Sequence, residues 1–246
     1  MYNFFIDQTD FSGDTVSISG TDFNHIKNVL RMQEGDEFLI SCNGESHLCA
    51  LKEFTAQSVI ATIKQKNFQD TSLPVKITLF QGLPKSDKME LIIQKAVELG
   101  AESIVPVQME RCIVKIEDKK KDAKTARWQT IAESAAKQSK RTLIPTVKNA
   151  VSYKNLLKEI DNFDLFIVPY ENERGIKSTV DALNKIKSGM TVGVLIGPEG
   201  GFSDTEIKLL YGTKATTVSL GKRILRTETA AITALATLMM HIEMNL

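Results

Sequence analysis

Two stretches of this chain carry residue types suited to holding a small molecule. One is Ile196-Gly197-Pro198-Glu199-Gly200-Gly201-Phe202-Ser203; the other is Leu220-Gly221-Lys222-Arg223-Ile224-Leu225-Arg226-Thr227-Glu228-Thr229-Ala230. What the first lacks narrows its chemistry. A phosphate loop carries Lys-Ser or Lys-Thr after its last glycine, and Phe202-Ser203 stands there instead. A dinucleotide fingerprint has a third glycine opening the helix, and none follows Gly201. The pattern asks for a ligand that sits against bare backbone and carries little negative charge. Gly-Pro and Gly-Gly are also ordinary turn punctuation, so the loop by itself leaves binding and mere turning both open.

The elements around these stretches give them a place. Val192-Gly193-Val194-Leu195-Ile196 reads as a strand buried on both faces. Ser203 with Glu206 three residues later forms a capping box, so a helix starts directly behind the glycines. A strand that ends in a loop before a helix is where open α/β sheets take ligands. From Val75 onward strands and helices alternate. Strands are expected at Val75–Gln81, Ser103–Gln108, Asp164–Val168 and Thr216–Leu220. Helices are expected after Met89, over Thr125–Ser139 (closed by Ile144-Pro145), Ser152–Ile160, Thr179–Lys187 and from Ser203, with a long one at the C-terminal end. That order predicts a mostly parallel sheet covered by helices.

Residues 1–70 read differently, as a small β-rich domain, with the polar stretch Gln65–Ser72 as linker and an α/β domain over residues 73–246. Short runs at Val16–Ser19, Glu37–Ser41, His47–Lys52 and Ser58–Ile63 are separated by turn signals, of which Asn43-Gly44 is a strong hairpin cue. A helix over Asp22–Leu30, capped by Thr21 or Asp22, interrupts them. His25, Lys27 and Arg31 could contact RNA from it, or could belong to an amphipathic turn closing a barrel.

Composition is that of a globular protein with a formal charge of +1. The charge is unevenly spread: Arg111 to Lys148 holds eleven basic and four acidic residues, a local +7 against −6 elsewhere. Such a run is either a solvated helix with ion pairs or a surface that faces phosphates. No apolar run reaches the roughly 18 residues of a membrane span, and the first residues lack the basic start of an export signal. Cys42, Cys49 and Cys112 have no metal-ligand spacing, and an odd, sparse set fits a reducing cytoplasm. His25, His47 and His241 are scattered, so no metal is expected.

Several longer motifs then stand in one order. They are His25 to Arg31, Lys85-Ser86-Asp87-Lys88-Met89-Glu90 running into Ile93–Gly100, Arg127-Trp128 followed by Glu133–Ser139, the glycine loop, and Leu220 to Ala230. Over nearly its whole length the chain resembles the bacterial small-subunit (16S) ribosomal RNA uracil-N3 methyltransferases of the RsmE type, in the SPOUT superfamily of knotted methyltransferases. Lys222 stands where proline is frequent in that family, and Ser134 where alanine is frequent.

The resemblance implies a PUA-like β-barrel followed by an α/β domain whose C-terminal end forms a trefoil knot, a fold that periodicity does not foresee. It implies a cytoplasmic homodimer with S-adenosyl-L-methionine near the subunit interface and 16S ribosomal RNA, or the small ribosomal subunit, as partner. The apolar C-terminal helix, with Ile232, Leu235, Leu238, Met239 and Ile242, is either that interface or core packing. Three segments are implied to enclose the cofactor: Pro169, Tyr170 and Glu171; Ile196, Gly197, Pro198, Glu199, Gly200 and Gly201; and Leu220, Gly221, Arg223, Ile224 and Leu225, with Thr229 and Ala230. Ile224 and Leu225 are expected to pack on the adenine ring. Uridine N3 must shed a proton before it can attack, which spreads charge onto O2 and O4. Arg226 is the expected catalytic cation, with Glu228 or Thr229 orienting it or helping the proton leave. Arg226 could instead bind phosphate or pair at the helix start. RNA contacts are expected at His25, Arg31, Lys85, Lys88, Arg127, Lys137 and Arg141, to a base that is unpaired or flipped out.

Overall fold

The computed structural model describes residues 1–246, the side chain of Asp118 excepted. The chain divides into two compact units, one of Met1–Ser72 with Ala136–Ile144, the other of Leu73–Ala135 with Pro145–Leu246. Segment Ala136–Ile144, expected within the second domain, therefore packs with the first.

The first unit is a six-stranded sheet. Its strands are β1 (Asn3–Phe5), β2 (Phe11–Ser12), β3 (Thr15–Ser19), β4 (Glu37–Cys42), β5 (Glu45–Phe54) and β6 (Ser58–Gln65), in the order β1-β4-β5-β6-β3-β2. β1 joins β4 in parallel, and the remaining pairs are antiparallel. Alternate residues Val16 and Ile18, Phe38 and Ile40, Cys49 and Leu51, Val59 and Ala61 all enter one core. Phe4 and Phe11, from opposite ends of the strand order, pack on that same core, so the sheet wraps around it. The intervening helix is α1 (Gly20–Asn24), continued by a π-helical turn at His25–Val29. Its N-cap is Ser19, before the expected Thr21 or Asp22, and no side chain caps it. Asn3 donates to the Arg141 carbonyl at 3.0 Å, and Lys137 pairs with Asp22 at 2.9 Å, fixing segment Ala136–Ile144 within this unit.

The second unit carries a seven-stranded sheet in which every pair is parallel. Its strands are β7 (Lys76–Gly82), β8 (Ser103–Gln108), β9 (Thr146–Val147), β10 (Val151–Ser152), β11 (Leu165–Pro169), β12 (Thr191–Ile196) and β13 (Thr216–Val218). The order is β10-β8-β7-β12-β11-β13, with β9 also on β8. The helices are α2 (Lys88–Glu98), α3 (Asp118–Gln138), α4 (Tyr153–Glu159), α5 (Lys177–Leu183), α6 (Asp204–Leu210) and α7 (Thr227–Asn245). Helix α3 starts about two turns before the expected Thr125 and stops at Gln138, one residue before the expected Ser139, with Lys140 just beyond at φ +57°. Its first turns bury no apolar stripe, so periodicity could not register them. Strands β1, β2, β9 and β10 escaped for a similar reason, being two or three residues long.

Helix α7 packs on α2 and β12. Leu235, Leu238 and Ile242 are buried in this unit's own core, the second of the two readings that the sequence left open for them; Ile232 and Met239 are half-buried, and Met240 and Met244 are exposed. Among the described residues no helix is long and apolar enough to cross a membrane. No group of three or more metal-ligating side chains is assembled among them either.

All three cysteines are free and buried. Burial pushes the Cys49 thiol up to about 12 and raises those of Cys42 and Cys112 above the ordinary value. The folded protein should therefore resist an aromatic disulfide reagent at mildly alkaline pH, and all three thiols should react once guanidinium unfolds it. Prompt release of one equivalent from the native protein would contradict that.

Candidate active site

In the second unit, three loops leave the C-terminal ends of neighbouring strands β11, β12 and β13, where a parallel sheet offers its ligand-binding edge. The glycine loop after β12 is anchored from several sides. Ser203 accepts from the Glu206 N–H at 3.2 Å while the Glu206 carboxylate accepts from the Ser203 N–H at 2.9 Å, completing the capping box of α6. The chain after β8 supports the same loop: the Ser203 hydroxyl donates to the Glu110 carboxylate at 2.6 Å, and Arg111 donates to the Gly200 carbonyl at 3.1 Å.

Two glycines here have steric reasons to be glycine. A Cβ on Gly82, the last residue of β7, would lie 2.6 Å from the Pro198 nitrogen. One on Gly200 would lie 2.9 Å from the Arg111 Cβ. The loop thus sits against backbone on both sides, which is what residues without side chains permit.

The loops also meet one another. Tyr170, just past β11, stacks edge-on to Phe202 with ring centroids 6.1 Å apart, and its N–H donates to the Val218 carbonyl at 3.0 Å. Thr227, the first residue of α7, donates to the Gly197 carbonyl at 2.7 Å and accepts from Gln81 Nε2 at 2.9 Å. Beneath these loops lies an apolar pocket between the sheet, α5 and α7, walled by Ile167, Pro169, Val194, Val218, Leu220 and Leu238 among others. Apolar walls beside glycine-rich loops suit a ligand with a flat, uncharged part.

Arg226 caps α7 with extended backbone (φ −65°, ψ 154°), and its side chain is exposed directly behind the third loop. Helix α7 aims its N-terminus, with its partial positive charge, at the same point. Ile224 is 85 % exposed, whereas Leu225 is half-buried. Glu228 lies 3.2 Å from the Lys88 ammonium, which also lies 3.1 Å from Glu199. Glu171, Gly221 and Arg223 are exposed; Thr229 and Ala230 begin α7.

The expected RNA contacts fall into distinct surroundings. His25 and Arg31 are exposed in the first unit, Arg31 at φ +51°. Lys137 in that unit is held by Asp22. Arg141 is only 7 % exposed, which does not fit an outer face. In the second unit Lys85 is exposed and Arg127, also exposed, pairs with Glu90 at 2.6 Å. Lys88 lies between two carboxylates.

Comparison with known proteins now has a geometry to meet. A family model for an RNA methyltransferase domain matches residues 71–239, and one for an RNA methyltransferase PUA domain matches residues 18–64. The chain belongs to the RNA methyltransferase family. Ribosomal RNA small subunit methyltransferase E of Bacillus subtilis is 38 % identical over 235 residues, covering 94 % of this chain and 91 % of that protein. Its namesake in Mesomycoplasma hyopneumoniae is 32 % identical, covering 94 % of this chain and 96 % of that one. A crystal structure of the Neisseria gonorrhoeae protein of the same name, bound to S-adenosyl methionine, superposes with a TM-score of 0.83 at 30 % identity, covering 98 % of this chain and 97 % of that chain. The α/β methyltransferase fold with a PUA-like first domain, expected from the motifs, is therefore the fold of this family member.

Residues that sequence reasoning passed over include Gln81, Gly82 and Thr227. Gln81 had a signal: an amide inside an otherwise apolar strand must find partners when buried, and it is fully buried here. Thr227 stood within a quoted motif, but its two bonds depend on where β7 and the glycine loop come together.

Proposed function

We propose that this RNA methyltransferase transfers a methyl group from S-adenosyl-L-methionine to N3 of a uridine in 16S ribosomal RNA. The observation that carries the reading is the exposed Arg226 at the positive end of α7, one residue before the Thr227 that is bonded to the Gly197 carbonyl of the glycine loop. The loops suit the donor: they offer backbone without a phosphate lysine, and Pro169 and Leu220 among them also line the small apolar pocket beside the sheet. When bound, S-adenosylmethionine supplies an electrophilic methyl on a sulfonium centre. Pro169, Leu220 and Leu225 would wall the adenine, and backbone groups of Gly197, Gly201, Leu220 and Leu225 would bond it and the ribose. The exposed Ile224 would cover the ring.

Residues of the chain then do the rest. Uridine attacks only as its imide anion, its N3 proton passing to water, and the Arg226 guanidinium stabilises the charge on O2 and O4 relative to neutral uridine, lowering the barrier measured from it. The N-terminus of α7 adds to the same field. Phosphate contacts are assigned to His25 and Arg31 in the first unit, and to Lys85 and Arg127 in the second. We read the subunit as one half of a homodimer, with the exposed Met240 and Met244 of α7 in place of the buried Leu235, Leu238 and Ile242. The return of the chain from edge strand β13 to α7 against β12 supports the trefoil-knotted path of the superfamily.

The test is nucleoside mass spectrometry of small-subunit ribosomal RNA, and of assembled subunits, after incubation with protein and methyl donor. N3-methyluridine is expected in at least one substrate. Methylation at another atom, such as a ribose 2′-hydroxyl, or no methylation in either, would overturn the reading.

A further inference from the structure

Lys88 was expected to face RNA. Its surroundings give it different work. The ammonium lies 3.1 Å from Glu199 of the glycine loop and 3.2 Å from Glu228 in the first turn of α7, and its side chain is only 27 % exposed. Glu199 is gripped a second time from the same segment, since the Lys85 N–H donates to its carboxylate at 3.1 Å. Between them Ser86 takes φ +55°, a left-handed backbone that bends the β7–α2 connection at this point. The two elements that Lys88 joins are those already linked once, by the Thr227 hydroxyl on the Gly197 carbonyl.

We infer that Lys88 is a positioning residue for methyl transfer: it clamps the glycine loop to the first turn of α7, and so sets the place of Arg226 relative to the bound donor. A single cation serves two carboxylates on two separate elements, and neutralising it leaves Glu199 and Glu228 facing one another. Like charges at that range repel, so loss of the cation drives the two elements apart where its presence draws them together. Arg226, two residues before Glu228, moves with that turn. The side chain touches no reacting atom in this scheme; it acts through Glu199 and Glu228.

The charge states agree with the geometry. Hydrogen bonds to Glu199 and then Glu228 raise the Lys88 ammonium above the ordinary lysine value. Burial works against the Glu199 charge, but hydrogen bonds from its own N–H, from the Lys85 N–H and from Lys88 outweigh it and hold the carboxyl below the usual range. A raised lysine keeps its contribution below the ordinary lysine pKa and loses it as pH climbs through the folded value. A depressed carboxyl keeps its contribution above the ordinary carboxylate pKa and loses it as pH falls through the folded value. Lys88 and Glu199 are therefore both charged throughout the neutral range.

The proposal rests on the methyltransferase reading, and its test separates the two. Lys88→Met removes the charge and keeps the stem; Lys88→Arg keeps the charge. Lys76→Met, which breaks an exposed pair to Glu102 at 3.8 Å, serves as control. For Lys88→Met, kcat should fall by about a hundredfold, the scale of a misplacement near 1 Å. KM for RNA should barely move, and Lys88→Arg should recover most of the loss. Native-state hydrogen exchange should show faster exchange confined to the glycine loop and the first turn of α7 in Lys88→Met alone. Wild-type kcat in Lys88→Met, a KM effect for RNA without a kcat effect, or unchanged exchange at both segments would overturn the clamp. Should the wild type methylate no RNA, the functional reading falls while the exchange experiment still decides the clamp.

Discussion

Replacing Arg226 with alanine should lower kcat for uridine methylation by about a hundred- to a thousandfold, the usual cost of deleting one preorganised donor to a developing oxyanion. The side chain is exposed at the N-cap of α7, so its removal opens no cavity, and the thermal midpoint should stay close to that of the wild type. Affinity for S-adenosylmethionine, measured by calorimetry, should also survive, because the proposed cofactor contacts come from backbone groups and apolar walls. Lysine at the same position should recover only part of the rate: its ammonium is a point charge without the guanidinium's fork of donors. The deciding comparison is kcat against donor affinity. Loss of both together would make Arg226 a cofactor ligand, and loss of RNA affinity alone would make it a phosphate contact.

Gly82→Ala should weaken S-adenosylmethionine binding by roughly ten- to a hundredfold, since overpacking a tight contact costs about 1–3 kcal/mol and each 1.4 kcal/mol is about a factor of ten. The new Cβ would sit 2.6 Å from the Pro198 nitrogen and 2.7 Å from its Cδ. Neither is the far end of a flexible side chain, so the glycine loop itself has to move. Displacing Pro198 carries Gly197 and Glu199 with it, and with them the bonds to Thr227 and the ion pair with Lys88. Titration of the variant with the donor, beside a thermal melt, reads the effect. Wild-type affinity in a stably folded Gly82→Ala protein would show that the loop yields without consequence and that the pocket lies elsewhere. The neighbouring position gives a useful contrast: Met109 Sδ, 2.9 Å from the same Cβ, can swing away, so the expected damage comes from the proline.

Much of the candidate site was legible because its signals are local. Glycines, a proline and a capping box lie within a few residues of one another, and the strand before them is an unbroken apolar run, so strand, loop and helix follow from nearest-neighbour preferences. The capping box of Ser203 and Glu206 formed as read. Arg226 was singled out through the family resemblance, as the guanidinium that directly follows the implied cofactor segment Leu220 to Leu225. Boundaries suffered wherever the governing interaction is distant or weak. The first turns of α3 are solvated and carry no apolar stripe, and β9 and β10 are strands only because β8 offers them an edge.

Charge read along the chain does not say which partner a cation meets. Lys88, Lys137 and Arg141 looked alike along the chain, yet one joins two carboxylates, one pairs with Asp22 and one is buried. A cation's role depends on which acid the fold brings within a few ångströms, and those acids lie far off in the chain: Glu199 and Glu228 for Lys88, Asp22 for Lys137.

What the residues determined by themselves was the strand, glycine loop and capped helix in succession, the parallel α/β order and the break in pattern near residue 70, because each depends on backbone preference and hydrophobic period. What only the tertiary structure decided was how the loops are fastened. Gln81, Thr227 and Gly197 share one chain of hydrogen bonds, and Lys88 bridges Glu199 and Glu228, because parallel strands β7 and β12 lie side by side and α7 returns across them. Pairings between residues more than a hundred positions apart leave no local trace, since the free energy that selects them comes from packing the sheet and not from the neighbours of any one residue.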